Sequence, residues 1–160
     1  MVIKTKLTQA DFINSSLVLL YTKSSTKIIT GIFLLFFLIA TFRTTSLRTN
    51  YFFMIIYPLI ILGMNPLMTY FNARRTFANN KTNGETIEYN FDDSFLATKG
   101  ETFSTEVTWS NIYKVTETDN WLLIWRNKQQ ANPIPKKNIS EGQMSAIKLI
   151  LDKNNVVNNL

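Results

Sequence analysis

From Ile28 to Ala73 the chain carries no acidic residue and only two basic ones, Arg43 and Arg48, among side chains that are mostly aliphatic or aromatic. Such a run is stable only inside a protein core or inside lipid. A 160-residue chain has too little polar mass to cover two such segments in water. The first, Ile28 to Phe42, has 15 consecutive uncharged residues between Lys27 and Arg43. As a helix it reaches about 22 Å, short of the hydrocarbon core, but Lys27 and Arg43 can snorkel and Thr26 or Thr44 can lengthen it. The second, Thr49 to Ala73, has 25 uncharged residues between Arg48 and the pair Arg74 and Arg75, a comfortable spanning length. The sequence predicts a transmembrane hairpin over 28–73, with helices at about 28–44 and 50–72.

Lys23, Lys27, Arg74, Arg75 and Lys81 flank the outer ends of this hairpin, against Arg43 and Arg48 in its connection. That asymmetry predicts both termini in the cytoplasm and leaves Arg43 to Asn50 as the outside segment. The 27 residues before the first apolar run, and the lack of a small-x-small site in LIATFRTTS, predict that this run is retained rather than cleaved. Pro58, Gly63, Asn65 and Pro66 interrupt the second run. Each proline frees a backbone carbonyl, and Asn65 offers an interhelical hydrogen bond, so these four are the candidates for helix packing within the hairpin or a homodimer. Neither run holds an internal ionisable residue for a proton or ion relay.

Absent residue types narrow the chemistry. Without Cys there is no disulfide, thiolate nucleophile or thiolate metal site, and without His there is no imidazole acid/base or His-ligated metal. Asp92-Asp93 is ordinary turn chemistry with no further ligand spacing. The expectation is therefore no enzyme, no cofactor and no metal. The net charge of +6 suggests a nucleic-acid partner, but residues 76–160 hold 9 basic and 10 acidic side chains, a net of −1. Nucleic-acid domains need a concentrated basic face, so that partner is excluded from the expectation.

After Arg75 the period changes. Ile87, Tyr89 and Phe91 alternate with Glu88 and Asn90, as in a half-buried strand, and Asp92 to Ser94 turns the chain into a second strand, Phe95 to Lys99. Phe103 to Trp109 alternates again, Asn111 to Glu117 continues after a bend at Ser110, and WLLIWR has two interleaved apolar sets, the pattern of a strand covered on both faces. Pro133 and Pro135 mark NPIPKK as an edge strand. Ser140 with Gln143 forms a capping box, with Ile139 and Met144 as staple, and Met144, Ile147, Ile150 and Leu151 share one helical face. At the other end of the chain, Val2 to Leu7 alternates like a further strand of the same sheet. Thr8 with Asp11 repeats the capping box before a helix from Gln9 to about Tyr21, expected to lie near the membrane surface. Trp109, Trp121 and Trp125 are read as core.

The order of these features, with Tyr89, Phe91, Asp92 and Asp93, then Trp109, Ser110 and Ile112, then Val115, Glu117 and Thr118, then Pro135 and Lys136, resembles the YcxB-like bacterial membrane proteins. The resemblance implies a pleckstrin-homology-like domain in the cytoplasm, a place in the bacterial plasma (inner) membrane, and no established reaction. The fold expected is an α+β membrane protein: a two-helix transmembrane hairpin and a small antiparallel β-barrel or roll capped by a C-terminal α-helix. Its parts are 1–27, 28–73 and 82–154. The function expected is non-catalytic: the domain binds a protein or peptide partner near the open edge at Pro133 to Lys136, or the chain pairs with its own copy in the bilayer. The alternatives are sensing of anionic lipid headgroups through Lys136, Lys137, Pro135, Arg74, Arg75, Lys27 and Lys23, or service as an accessory subunit of a transporter or membrane enzyme.

Overall fold

The computed structural model describes residues 1–43 and 47–160. Seven strands form two antiparallel sheets: β1 (Val2–Lys6), β2 (Thr86–Phe91), β3 (Phe95–Lys99) and β4 (Ser104–Thr108) in that order, then β5 (Lys114–Glu117), β6 (Trp121–Trp125) and β7 (Ala131–Pro135) in that order. The expected N-terminal strand extends the first sheet, with Ile3 opposite Tyr89 and Thr5 opposite Ile87. The Met1 amino group adds a hydrogen bond to the Phe91 carbonyl at 2.9 Å. The second sheet ends under the C-terminal tail: the Val115 N–H donates to the Val157 carbonyl at 2.8 Å, and the Glu117 N–H to Asn159 Oδ1 at 2.7 Å.

The corner between the sheets falls at the expected bend at Ser110 but is wider, since β4 ends at Thr108 and β5 begins only at Lys114, where strands are expected to Trp109 and from Asn111. Trp109 to Asn111 is a 3₁₀ turn, which swings the Trp109 ring into the core at 2% exposure. There its indole Nε1 donates to the Asp92 carbonyl at 2.9 Å and its ring stacks on Phe91 at 6.1 Å. Filling the core and satisfying the indole outweigh the local alternation that favours a strand. A helix, α4 (Glu141–Lys153), closes the roll by burying Ile147 and Leu151 against Phe91, Leu122, Ile124 and Ile134. Its capping box is complete: Ser140 Oγ accepts from the Gln143 N–H, and Gln143 Oε1 accepts from the Ser140 N–H.

Three more α-helices lie among the described residues: α1 (Gln9–Thr22), α2 (Ser24–Arg43) and α3 (Leu47–Asn79). The Thr8 and Asp11 capping box starts α1, and the axis turns by 62° into α2 at Lys23. Helix α3 continues through Pro58 and Pro66 and outruns the expected 50–72 at both ends. Nothing between Arg74 and Asn79 breaks a helix, and α1 gives this extension a partner: Ala73 is buried, and the Phe77 ring lies 5.7 Å from Phe12. Residues 44–46, the end of the expected first span and the middle of the expected connection, lie outside the described residues. Among the described residues one helical stretch is long and apolar enough to cross a membrane by itself, Ile55–Asn79; Gln9–Thr22 with Ser24–Ala40 supply a second only if counted as one broken span. Large apolar side chains such as Ile32, Phe33, Phe36, Leu59, Leu67 and Phe71 stand exposed on α2 and α3.

Candidate functional site

Strand β6 organises the region holding the sequence-derived candidates. Leu122 and Ile124 point into the roll, while Trp121, Leu123 and Trp125 form a second buried layer with Leu7. Phe12, Val18 and Leu19 of α1 cover that layer. The doubly apolar pattern of WLLIW thus has its cause: the second face is roofed by the N-terminal helix, which packs on the other side against α3. So α1 does more than lie at a surface; it is the layer between the second sheet and the long helix.

At the far edge of this sheet the prolines have a defined role. The Lys136 N–H donates to the Asn120 carbonyl at 2.9 Å and the Arg126 N–H to the Gln130 carbonyl at 3.0 Å. With Leu122 opposite Ile134 and Ile124 opposite Asn132, the even-numbered residues of β7 hydrogen-bond to β6. Pro133 and Pro135 therefore face the outer edge, where each removes a donor that an added strand would use. This weakens the expectation that a partner docks there as a β-strand.

Immediately beyond, Lys136 to Asn138 forms a single 3₁₀ turn whose three side chains bind three different elements. The Lys136 ammonium pairs with Glu117 at the end of β5. Lys137 Nζ bonds both carboxylate oxygens of Asp11 on α1, at 2.9 and 3.1 Å. Asn138 Nδ2 donates to Thr5 Oγ1 of β1 at 2.7 Å. Partial burial pushes the Asp11 carboxyl up, yet the hydrogen bonds from Lys137 and Thr8 outweigh it and hold the pKa below the usual aspartate value. The two lysines expected as lipid contacts are engaged in fastening the N-terminal segment to the roll, and a headgroup would compete with both pairs.

Between α1 and the β6–β7 end of the sheet lies an open groove of about 730 Å³, bounded by Asp11, Asn14, Asp119, Asn120, Pro135 and Lys136. Its walls mix carboxylates, amides and the two clasped lysines with the apolar side chains of Leu17, Val18, Trp121 and Pro135. That surface suits an amphipathic peptide segment carrying both apolar and polar side chains.

The remaining candidates lie elsewhere. Arg74 and Arg75 are exposed beside buried Ala73 on α3. Lys27, Asn65 and Pro66 come together, with Thr30, Leu34 and Leu62, around a largely apolar cavity of about 350 Å³ between α2 and α3. Gly63 does not line that cavity. Pro58 is half-buried one residue beyond Tyr57, whose ring lies 5.6 Å from Phe37 of α2.

Residues 91–151 match the model of the YcxB-like protein family. No curated protein and no solved structure matches the chain. The YcxB-like stretch runs from the last residue of β2 into α4, so it supplies Pro135, Lys136, Lys137 and the sheet wall of the groove. The opposite wall, Asp11 and Asn14, comes from the N-terminal segment outside the matched stretch.

Proposed function

We propose that this chain is a non-catalytic integral membrane protein of the bacterial plasma membrane, with α2 and α3 spanning the bilayer, both termini in the cytoplasm, and a pleckstrin-homology-like roll that binds a protein or peptide partner. The observation that carries the membrane part is the apolar surface of α2 and α3: Ile32, Phe36, Ile55, Leu59 and Met68 are all more than half exposed among the described residues. Contiguous exposure on this scale is not sustained in water. The four-plus-three strand order closed by α4 supports the pleckstrin-homology-like reading. For the partner, the groove between α1 and β7 takes the place of the strand edge, because the outward prolines oppose strand addition and the groove offers unfilled walls of mixed polarity.

The cysteine-free sequence makes the topology test clean. Single Thr45→Cys and Ser145→Cys variants are labelled in intact cells with a membrane-impermeant maleimide. Labelling at position 45 and protection at 145 until lysis is the expected result, and the reverse would overturn the orientation. For the groove, a photo-crosslinker at Asn14 should give one discrete adduct in membranes, lost when Asn120→Trp fills the space. An equal adduct from a crosslinker at exposed Leu149 would refute groove binding.

A further inference from the structure

Where α1 turns into α2, the roll comes up beside the first turn of α2 and the two enclose a separate cavity of about 380 Å³. Three lysines line it: Lys23 from the elbow, Lys114 from the start of β5 and Lys128 from the β6–β7 turn, and no Asp or Glu is among the lining residues. Elsewhere four lysines of the roll and its N-terminal strand are matched to carboxylates, Lys4 to Glu88, Lys136 to Glu117, Lys137 to Asp11 and Lys153 to Asp93, while Lys6 and Lys99 are in no ion pair among the described residues but do not line this cavity. Among the described residues no ion pair includes Lys23, Lys114 or Lys128.

Their positions are set by the fold. Lys114 Nζ sits 5.1 Å from the centroid of the Trp125 ring, which is itself buried and fixed by its Nε1 bond to Thr116 Oγ1 at 2.8 Å. Lys128 rides on a turn held by Asn127 Oδ1, which accepts from the Gln129 and Gln130 N–H groups at 2.8 and 2.9 Å. Lys23 caps α1 with its N–H on the Leu19 carbonyl. Three like charges around one concavity that has no carboxylate among its lining residues focus a positive potential there. The hydroxyls of Ser24 and Ser25 line the same cavity.

Its other wall is apolar. Ile28, 61% exposed, lines the cavity and begins the apolar run of α2, and Tyr113, 46% exposed, stands opposite. A ligand matching both walls carries phosphate charge next to hydrocarbon. We propose that this cavity binds the headgroup phosphate of an anionic phospholipid, with its acyl chains lying along Ile28 and the start of α2. The proposal rests on the membrane reading above, and it moves lipid recognition away from the clasped Lys136 and Lys137.

The test uses the full chain. Resistance to alkaline extraction from pure phosphatidylcholine vesicles checks membrane insertion by itself, and failure there counts against the membrane reading rather than against the site. The protein is then equilibrated with mixed phosphatidylcholine and phosphatidylglycerol in a mild detergent, and retained lipid is read by native mass spectrometry. Wild type should retain phosphatidylglycerol preferentially. Each of Lys23→Gln, Lys114→Gln and Lys128→Gln should weaken that preference roughly fivefold, and the three together on the order of a hundredfold. The Lys6→Gln, Lys99→Gln pair should leave it intact. An undiminished preference in the triple variant, or an equal loss in the Lys6 and Lys99 pair, would overturn the site. Displacement of the lipid by millimolar inorganic phosphate would show a free-phosphate site and overturn the lipid assignment. Should the triple variant lose its wild-type tryptophan emission, Lys128→Gln alone, at an exposed turn, decides by the same criterion.

Discussion

The doubly covered strand β6 allows its two layers to be taken apart by adjacent substitutions. Leu122 and Leu123 are both 0% exposed, but Leu122 packs in the roll and Leu123 packs under α1 with Trp121 and Trp125. Truncating either to Ala removes buried methyl groups and leaves a cavity, at a cost of about 3 kcal/mol. For Leu123→Ala that cost falls on the docking of α1. At about 1.4 kcal/mol per factor of ten, amides of Gln9 to Thr22 should exchange on the order of a hundredfold faster, while β2 to β4 keep their protection. For Leu122→Ala the loss falls on the whole roll, and amides of both sheets and of α4 should accelerate together. Hydrogen exchange with mass spectrometry on the full chain in detergent reads both. If Leu123→Ala speeds exchange in the first sheet as much as in α1, then α1 is not a separable layer and the reasoning fails.

Three further outcomes follow from single contacts. Glu85 is buried, and hydrogen bonds from the Thr102 hydroxyl (2.6 Å) and from the Thr102 and Glu101 amides hold its carboxyl below the ordinary glutamate value of 4.5. A depressed folded-state pKa contributes stability above the unfolded value that is lost as pH falls toward the folded one, so the melting temperature should drop below pH 4.5 less steeply in Glu85→Gln than in wild type; equal slopes would refute this. At Gly100 a Cβ would stand 2.4 Å from the Phe103 ring and 2.7 Å from Glu85 Oε2, whereas at Gly142 in α4 it would meet nothing within 4 Å. Thermal denaturation should show Gly100→Ala destabilised by about 1–3 kcal/mol and Gly142→Ala unchanged or stabilised by up to about 1 kcal/mol. Pro133→Thr restores an outward donor on β7 and should raise concentration-dependent self-association in sedimentation velocity, an effect absent from Asn132→Thr, whose N–H faces β6.

What the sequence discloses divides by the range of the interaction. Both capping boxes were legible because Thr8 with Asp11 and Ser140 with Gln143 are contacts across three residues. The two apolar sets of Trp121 to Trp125 said that β6 is covered twice, but not that the cover is a helix more than a hundred residues earlier. The alternation of Trp109 with Val107 favours a strand locally, and only the core contact with Phe91 and the bond to Asp92 explain the turn. Arg74 and Arg75 mark a change of charge, not the end of a helix, so the extension of α3 to Asn79 depended on Phe12 of α1. At the candidate site the same division holds: Lys136 and Lys137 were visible as cations, but their partners Glu117 and Asp11 are 19 and 126 residues away. Lys23, Lys114 and Lys128 come from three separate parts of the chain, and no spacing relates them.

The position of α1 gives these pieces a common consequence. One face of this helix buries Trp121, Leu123 and Trp125 of the second sheet, and another meets the end of α3 at Phe77. Its first turn is pinned by Lys137, and its last residues form the elbow at Lys23 that opens the cationic cavity. The groove and that cavity therefore share α1 as a wall, Asp11 and Asn14 at its start and Thr22 and Lys23 at its end. On the proposed membrane reading, a lipid bound at the elbow would act on the same helix that walls the groove. Coupling of this kind is reciprocal, so a peptide held in the groove and an anionic lipid at the elbow should each change the affinity for the other by the same factor. Leu123→Ala, which loosens the helix that walls both sites, should weaken that factor together with each affinity, because Asp11, Asn14, Thr22 and Lys23 all ride on α1.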